Sequence, residues 1–424
     1  MGDVGACATY LRWKSGLGYI QRFAAVLAVA IGMFVEAAPA ATADTNAPIT
    51  VGLVLAKQGP FADLGVAEAN GAQLALDQAG GKILGHPGTL VWADEPDPQN
   101  AVQNFNKLVD IDKAVAVLGG TNSGTSLAMA AAAKQAKIPF ISIGGSAQEV
   151  TGKNCNRYTF SSMVTIGSLA AATVPSALKE GKDWYFIVAN YAFGQDVYRT
   201  FKDALVKAGG RDVGVDFVPN GTSDFSSYIL KIRQAQPKLV VIGIGGTDVT
   251  RFVNQYHSYG LTDKIPLLRP AISDTQMWAL GPDLAASLNG ATWHYSDPAN
   301  PPAEKAMVKA YEAKYNRPPT VEVWQGWTSM RMLLLAMERA KSTDAKAVIQ
   351  SLETLKITDG KIPLYYRSWD HRLIHPILLL RGKAPPANDK WDMLEVLDHT
   401  PSKIADIDKV FGSQAEIGCT LGDF

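Results

Sequence analysis

The stretch AVAVLGGTNSGTSLAMAAAAKQA, residues 114–136, decides the fold. Ala114 to Leu118 is a short apolar run with β-branched residues and reads as a strand. Gly119-Gly120-Thr121-Asn122-Ser123 then turns the chain directly into an Ala-rich helix candidate, Ser123 to Ala136. A strand that ends in a small polar turn and passes straight into a helix is the repeating unit of a parallel sheet covered by helices.

The same unit recurs on both sides of this stretch. Strands are expected at Ile49 to Leu55, Thr89 to Ala93, Phe140 to Ile143, Trp184 to Ala189, Lys238 to Ile244 and Ile265 to Leu268. Helices are expected at Val66 to Gln78, Gln99 to Asp110, Asp196 to Ala208 and Thr247 to Tyr259. Gly80-Gly81 and Gly209-Gly210 stop two of them, since glycine accepts the left-handed backbone that follows a helix. The C-terminal third adds helices at Glu304 to Tyr315, Val323 to Ala340 and Ala345 to Leu355, then short strands, of which Leu373 to Leu380 is the clearest. Pro298-Ala-Asn-Pro-Pro302 reads as a linker, because proline excludes helix interior and central strand. The class is α/β, and the length calls for two domains, a single core growing to roughly 250–300 residues.

At the N-terminus, Arg12, Lys14 and Arg22 precede an apolar run from Phe23 to Val35 and the small residues Ala37 to Ala43. This pattern predicts a secretory signal peptide over residues 1–43, cleaved after Ala41-Thr42-Ala43. The apolar run is shorter than the ~20 residues that span a bilayer as a helix. Acidic and basic residues number 40 each, and removing residues 1–43 takes away three bases and two acids, so the remainder stays near neutral. Nucleic acid is not an expected partner, for lack of a basic stripe. Cys155 and Cys419 are then the two remaining cysteines, in a compartment that permits disulfides. They are expected to pair and tie the C-terminus back onto the fold, the alternative being two buried free thiols.

Several predicted strands end in glycine-rich or small polar turns, of which Gly119 to Ser123 and Gly144-Gly145-Ser146 are the best examples. In an open α/β sheet such turns lie at the carboxyl edge, where ligands bind at a topological switch point. Helix N-termini and serine hydroxyls there favour an anion, which makes Ser123 and Ser146 candidate carboxylate donors. Ordinary helix capping is the other reading of both serines. Tyr191 and Phe193 follow a strand and are candidates for a cleft wall or for core. Trp324 and Trp327, three apart on one helix face, read as packing.

Enzyme signatures do not assemble. Gly243 to Asp248 departs from the dinucleotide turn at its last glycine. His371 and His375 lack the glutamate of a zinc-protease helix, and no G-x-S-x-G surrounds a serine. No metal and no cofactor is expected.

Taken in order, Ile49 to Leu55 with Gly59-Pro60-Phe61, Asn70 to Ala75, Asp94 to Ala101, Gly119 to Ser126, Ile138-Pro139-Phe140, Tyr191 to Gly194 and Ser223 to Ser226 resemble the leucine/isoleucine/valine-binding family of periplasmic receptors. The resemblance spans nearly all of the chain after residue 43. It implies a type I periplasmic binding fold: two Rossmann-like lobes joined by three hinge segments, near Met163 to Ile166, His294 to Asp297 and His371 to His375. Lobe 1 would be 48–164 plus 296–372, and lobe 2 would be 165–295 plus 373–424. A cysteine staple near the hinge is similar to one branch of that family.

Carried over, Ser123 matches the serine that binds the ligand carboxylate, and Gly144 and Ser146 match residues that complete the anchor. Phe193 stands at an aromatic position of lobe 2. Leu64 replaces an aromatic, Glu322 stands near another such position, and the family's ammonium-binding acid falls at Arg269 or Ala271. An arginine there implies a ligand lacking the amine, such as an aromatic or aliphatic acid. Asp248 and Asp274 on nearby loops would restore the amino-acid reading. The resemblance further implies a periplasmic, monomeric, non-enzymatic receptor that delivers a small carboxylate-bearing ligand to an inner-membrane ABC permease. A ligand sensor feeding a signalling partner is the alternative.

Overall fold

The computed structural model describes residues 47–284, 287–386 and 388–424. The signal-peptide reading lies outside them. In the first half, strands β1 (Ile49–Val54), β2 (Lys82–Ile83), β3 (His86–Ala93), β4 (Ala116–Gly119), β5 (Phe140–Ser142) and β6 (Thr159–Ser161) form one sheet in the order β2-β3-β1-β4-β5-β6. All pairs are parallel except the β2/β3 edge. Helices α1 (Ala62–Gln78), α2 (Pro98–Asp110) and α3 (Ser123–Ala136) connect these strands.

Helix α4 (Ile166–Glu180) carries the chain into a second sheet built from β7 (Asp183–Ala189), β8 (Arg211–Val218), β9 (Leu239–Gly243), β10 (Leu267–Arg269) and β11 (Leu288–Ala291). Helices α5 (Ala192–Lys207), α6 (Ser226–Ala235), α7 (Thr247–Ser258) and α8 (Asp274–Leu280) alternate with them. The chain then returns to the first core through α9 (Pro302–Tyr315), α10 (Val321–Ala340) and α11 (Ala345–Thr354). Three short strands, β12 (Lys356–Ile357), β13 (Leu364–Tyr366) and β14 (Leu373–Ile374), form a small antiparallel sheet. Two antiparallel strands, β15 (Ile377–Gly382) and β16 (Leu394–Thr400), complete the second sheet as β16-β15-β11-β10-β9-β7-β8.

The parallel order β8-β7-β9-β10-β11 repeats β3-β1-β4-β5-β6 of the first half. Each half is thus a doubly wound unit whose switch point lies beside its first strand. In β7, Trp184, Phe186 and Val188 enter one apolar core while Tyr185, Ile187 and Ala189 enter another. That alternation explains a strand with no polar face: a parallel sheet is covered on both sides.

The strand–turn–helix units match the expected ones to within a few residues, and the differences have local causes. The expected strand Leu373 to Leu380 is broken at His375-Pro376, where proline offers no N–H to the ladder. Pro302, read as part of a linker, opens α9, where a missing N–H costs nothing. Helix α4 contains Pro175, which hid it from a pattern reading. Edge strand β8 is half exposed and carries a register shift opposite Trp184 and Tyr185, so its apolar signal is weak.

Helices α1 and α10 meet backbone to backbone. A Cβ built on Gly71 would stand 2.0 Å from Val323 O, and one on Gly326 2.0 Å from Glu68 O. Cys155 and Cys419 form the expected disulfide across a separation of 264 residues. Beside it, Arg157 donates from Nε and Nη2 to Gly422 O at 3.0 and 2.9 Å, and Phe424 packs edge-on against Tyr158.

The chain passes between the two halves at 162–165, 292–301 and 375–376. In the second passage His294 is buried, with Nδ1 3.1 Å from Asp274 and Nε2 3.5 Å from Asp392. Burial disfavours its charge, but the two carboxylates prevail and raise its pKa to about 9. Stability from such an imidazole is complete below the unfolded value of about 6.5 and is lost as pH rises through the folded one. The denaturation midpoint is expected to decline between about pH 6.5 and 9, by on the order of 2–3 kcal/mol in stability. His294→Gln should flatten that decline.

Candidate functional site

The turns at the carboxyl edges of the two sheets face one another around a cavity of about 100 Å³. Phe61 and Leu64 follow β1, Thr121 to Ser123 follow β4, and Gly144 and Ser146 follow β5. From the second half come Tyr191 and Phe193 after β7, Ile244 to Gly246 after β9, and Ala271 to Ser273 with Gln276 after β10. Glu322 and Gln325 reach it from the first turns of α10, and Glu68 from α1.

Ser123 is not a helix cap. Asn122 caps α3 by accepting from the amides of Gly124 and Thr125. Those two amides are therefore spent, and a side-chain group left to meet an anion at this turn is the Ser123 hydroxyl. It accepts from Ala147 N at 3.1 Å, so its own hydrogen remains to be donated. Ser146 shares the cavity wall and precedes a single 3₁₀ turn rather than an α-helix. Gly144 fits because a Cβ there would lie 2.6 Å from Thr121 O and 2.7 Å from Glu68 Oε1.

The opposite wall is aromatic. Tyr191 and Phe193 stack at 6.4 Å between ring centroids, and Phe61 crosses from the first half to meet Tyr191 edge-on at 6.5 Å. The halves also touch where Gln148 N donates to Asp196 at 2.7 Å and Val321 N to Asp274 at 2.8 Å. Gly246 lies so near Pro60 O that a Cβ would stand 2.4 Å away.

Four predicted site residues lie outside this cavity. Arg269 is buried within the second sheet, where its Nε donates to Asn289 Oδ1 at 2.8 Å and its Nη2 bonds Ser287 Oγ. Burial lowers its pKa to about 9. Its side chain is committed to β11 and its neighbourhood, so of Arg269 and Ala271 it is Ala271, followed by Ile272 and Ser273, that lines the cavity. Asp248 accepts from Gly221 N and pairs with Arg251, and Asp274 holds Val321 N and His294. Gly145 faces away from the cavity, its Cβ direction blocked by Ser126 Oγ at 2.1 Å. Both nitrogens of His371 have protein partners, Thr159 O and Glu353, whereas His375 uses Nδ1 on Pro376 O and its Nε2 is buried without a hydrogen-bond partner among the described residues.

What the sequence reading missed is Glu68 on the cavity wall and Glu95 behind it, whereas Glu322 is already placed near an aromatic position by the resemblance. Glu68 is buried and accepts from Thr121 Oγ1 at 2.8 Å, and Glu95 behind it accepts from the amides of Gly120 and Thr121. Burial drives the Glu68 pKa well above the usual range, helped by the charges of Glu95 and Glu322. Burial raises Glu95 to about 8 and, with the charge of Asp274, Glu322 to about 7. A weak signal existed, since Glu68 interrupts the small apolar face of α1 between Gly65 and Ala72.

A family model for periplasmic binding proteins matches residues 48–389. The chain belongs to the periplasmic binding proteins. This periplasmic binding protein is 28% identical to the Leu/Ile/Val-binding protein BraC3 of Rhizobium johnstonii, over 74% of the chain and 85% of that relative. It superposes on a periplasmic binding protein of Burkholderia mallei with a TM-score of 0.81 at 26% identity, covering 89% of this chain and 99% of that one. An amino acid ABC transporter substrate-binding protein of Pseudomonas fluorescens Pf-5 gives a TM-score of 0.79 at 26% identity, covering 89% and 100%. The family consists of solute receptors rather than enzymes and implies a periplasmic location.

Proposed function

We propose that this protein is the receptor of an ATP-driven uptake system that captures a small carboxylate-bearing solute in the cavity between its halves and delivers it to an inner-membrane permease. Cleavage after Ala43 releases the mature protein, and it acts as a monomer. The lobes that rotate about the ligand are 48–164 plus 296–372 and 165–295 plus 373–424, except that the last residues, 419–424, stay with the first lobe, to which Cys419, Gly422 and Phe424 are bound. The observation that carries this reading is the Ser123 hydroxyl. It is free to donate at the N-terminal end of α3, beside Ser146, in a cavity enclosed by the carboxyl edges of both sheets. The relatives named for amino acids and their transport support the same reading.

Calorimetry with a panel of small carboxylic and amino acids tests it. At least one should bind, and Ser123→Ala should weaken that ligand by about 1.5–3 kcal/mol, roughly ten- to a hundredfold, the worth of a hydrogen bond to a charged group. Undiminished affinity in the variant would remove Ser123 from the anchor.

A further inference from the structure

We infer that a second cavity, beside the passages at 292–301 and 375–376, binds a small uncharged aromatic molecule that carries an O–H or N–H donor, of the phenol or indole class, and that His375 Nε2 accepts from that donor. The site is apart from the cleft and stands whether or not the cleft takes a carboxylate. Its cavity measures about 320 Å³, within the roughly 300–1,000 Å³ of small-molecule sites. Among the described residues, Thr292 alone lines both this cavity and the cleft.

The walls come from three parts of the fold. Trp324 and Arg331 stand on α10, Leu378 and His399 on β15 and β16, and Trp293 and His375 on the passages themselves. The two indole rings lie parallel at 9° with 6.3 Å between centroids, and Trp324 meets the His375 ring edge-on at 5.0 Å. Both indole N–H groups donate to Glu304, at 2.8 and 3.0 Å, so what the tryptophans have left to offer is ring surface. Such walls favour a ring as guest.

His375 supplies the polar point. It is 3% exposed, and its Nδ1 lies 2.8 Å from Pro376 O. A carbonyl only accepts, so Nδ1 carries the hydrogen and Nε2 is left with a lone pair. That atom is buried and has no hydrogen-bond partner among the described residues. Burial lowers the pKa of this imidazole to about 4, so near neutral pH Nε2 stays an acceptor. A buried acceptor left unmet is costly, and a guest that donates to it removes the cost.

The charges on the wall select against a charged guest. Asp297 is paired with His399 at 2.7 Å, and Glu304 is taken by the tryptophans. Arg331, Lys361, Asp359 and Asp398 remain, two of each sign. A charge on the guest would gain from one pair what it loses to the other.

The test pairs molecules of similar size that differ in the donor: phenol with fluorobenzene, and indole with indene. Calorimetry on the unaltered protein should find phenol or indole bound about tenfold or more tighter than its donor-free partner. His375→Phe keeps a ring and removes the acceptor, and should bring the two members of each pair level. Gly360→Phe narrows the cavity from a loop, where a Cβ would meet only Ile362 O at 3.4 Å and Pro301 Cγ at 3.6 Å, and should weaken phenol and indole alike by about tenfold. It carries the test if His375→Phe fails to fold. Crystals soaked in phenol or indole should show the ring beside Trp324 with its donor on His375 Nε2. Equal affinities within each pair for the unaltered protein, silence from both donors at millimolar concentration, or a ring found only in the cleft near Tyr191 and Phe193 would overturn the inference. None of these results bears on carboxylate binding by Ser123, so the two readings fail separately.

Discussion

Gly326→Ala is expected to destabilise the protein by about 3 kcal/mol or more, the upper range for overpacking in a rigid core. The new methyl would stand 2.0 Å from Glu68 O and 2.8 Å from Glu68 C, and both atoms belong to helix backbone that cannot swing aside as a side chain does. The helices must separate, and with them the buried residues Trp324, Trp327 and Leu74 that close the first core around the contact. Urea titration followed by tryptophan fluorescence measures the loss. Gly167→Ala is the matching control. In the first turn of α4 its Cβ would meet nothing nearer than Gln148 Oε1 at 3.4 Å, and the change should stabilise by about 0.4–1 kcal/mol through reduced freedom of the unfolded chain.

Removing the disulfide is the second large effect. The bond closes a loop of 264 residues, and the loss of such a constraint on the unfolded chain costs about 2–5 kcal/mol. Replacing Cys155 and Cys419 together by serine should lower the thermal midpoint by several degrees. Reductant should do the same to the unaltered protein and nothing further to the variant. Hydrogen exchange should increase first in the last few residues, where Gly422 and Phe424 are held by Arg157 and Tyr158. Ligand affinity should not change, because none of these groups lines the cavity.

The strand–turn–helix units were legible because their signals are local: an apolar run, a glycine or serine turn, and an Ala-rich helix follow one another within twenty-odd residues, as in 114–136. Ser123, Gly144, Ser146, Tyr191 and Phe193 could be placed on the cavity wall for the same reason, since the turn after a parallel strand lies at the carboxyl edge of its sheet. Arg269 was misplaced because its position at the end of β10 fixes the segment and not the side-chain direction, which Asn289 on β11 determines. Asp248 and Asp274 were not seen as structural acids because two of their partners, Gly221 N and Val321 N, are backbone groups distant in sequence, although the Arg251 partner of Asp248 lies only three residues on. The nearness of Glu68 to Glu322 is the clearest case of what a sequence withholds. Each is an isolated acid in its own helix, and only the packing of α1 on α10 makes them neighbours.

The broken strand at His375-Pro376 has a mechanical corollary. Between Ile374, which ends β14, and Ile377, which begins β15, the backbone spans at most about 11 Å even when drawn straight. That tether is too short to pay out slack, so the second sheet can swing about it but cannot be pulled away from it. In the rotation of the two lobes proposed above, this tether would serve as the fulcrum, and the opening it allows would widen with distance from it.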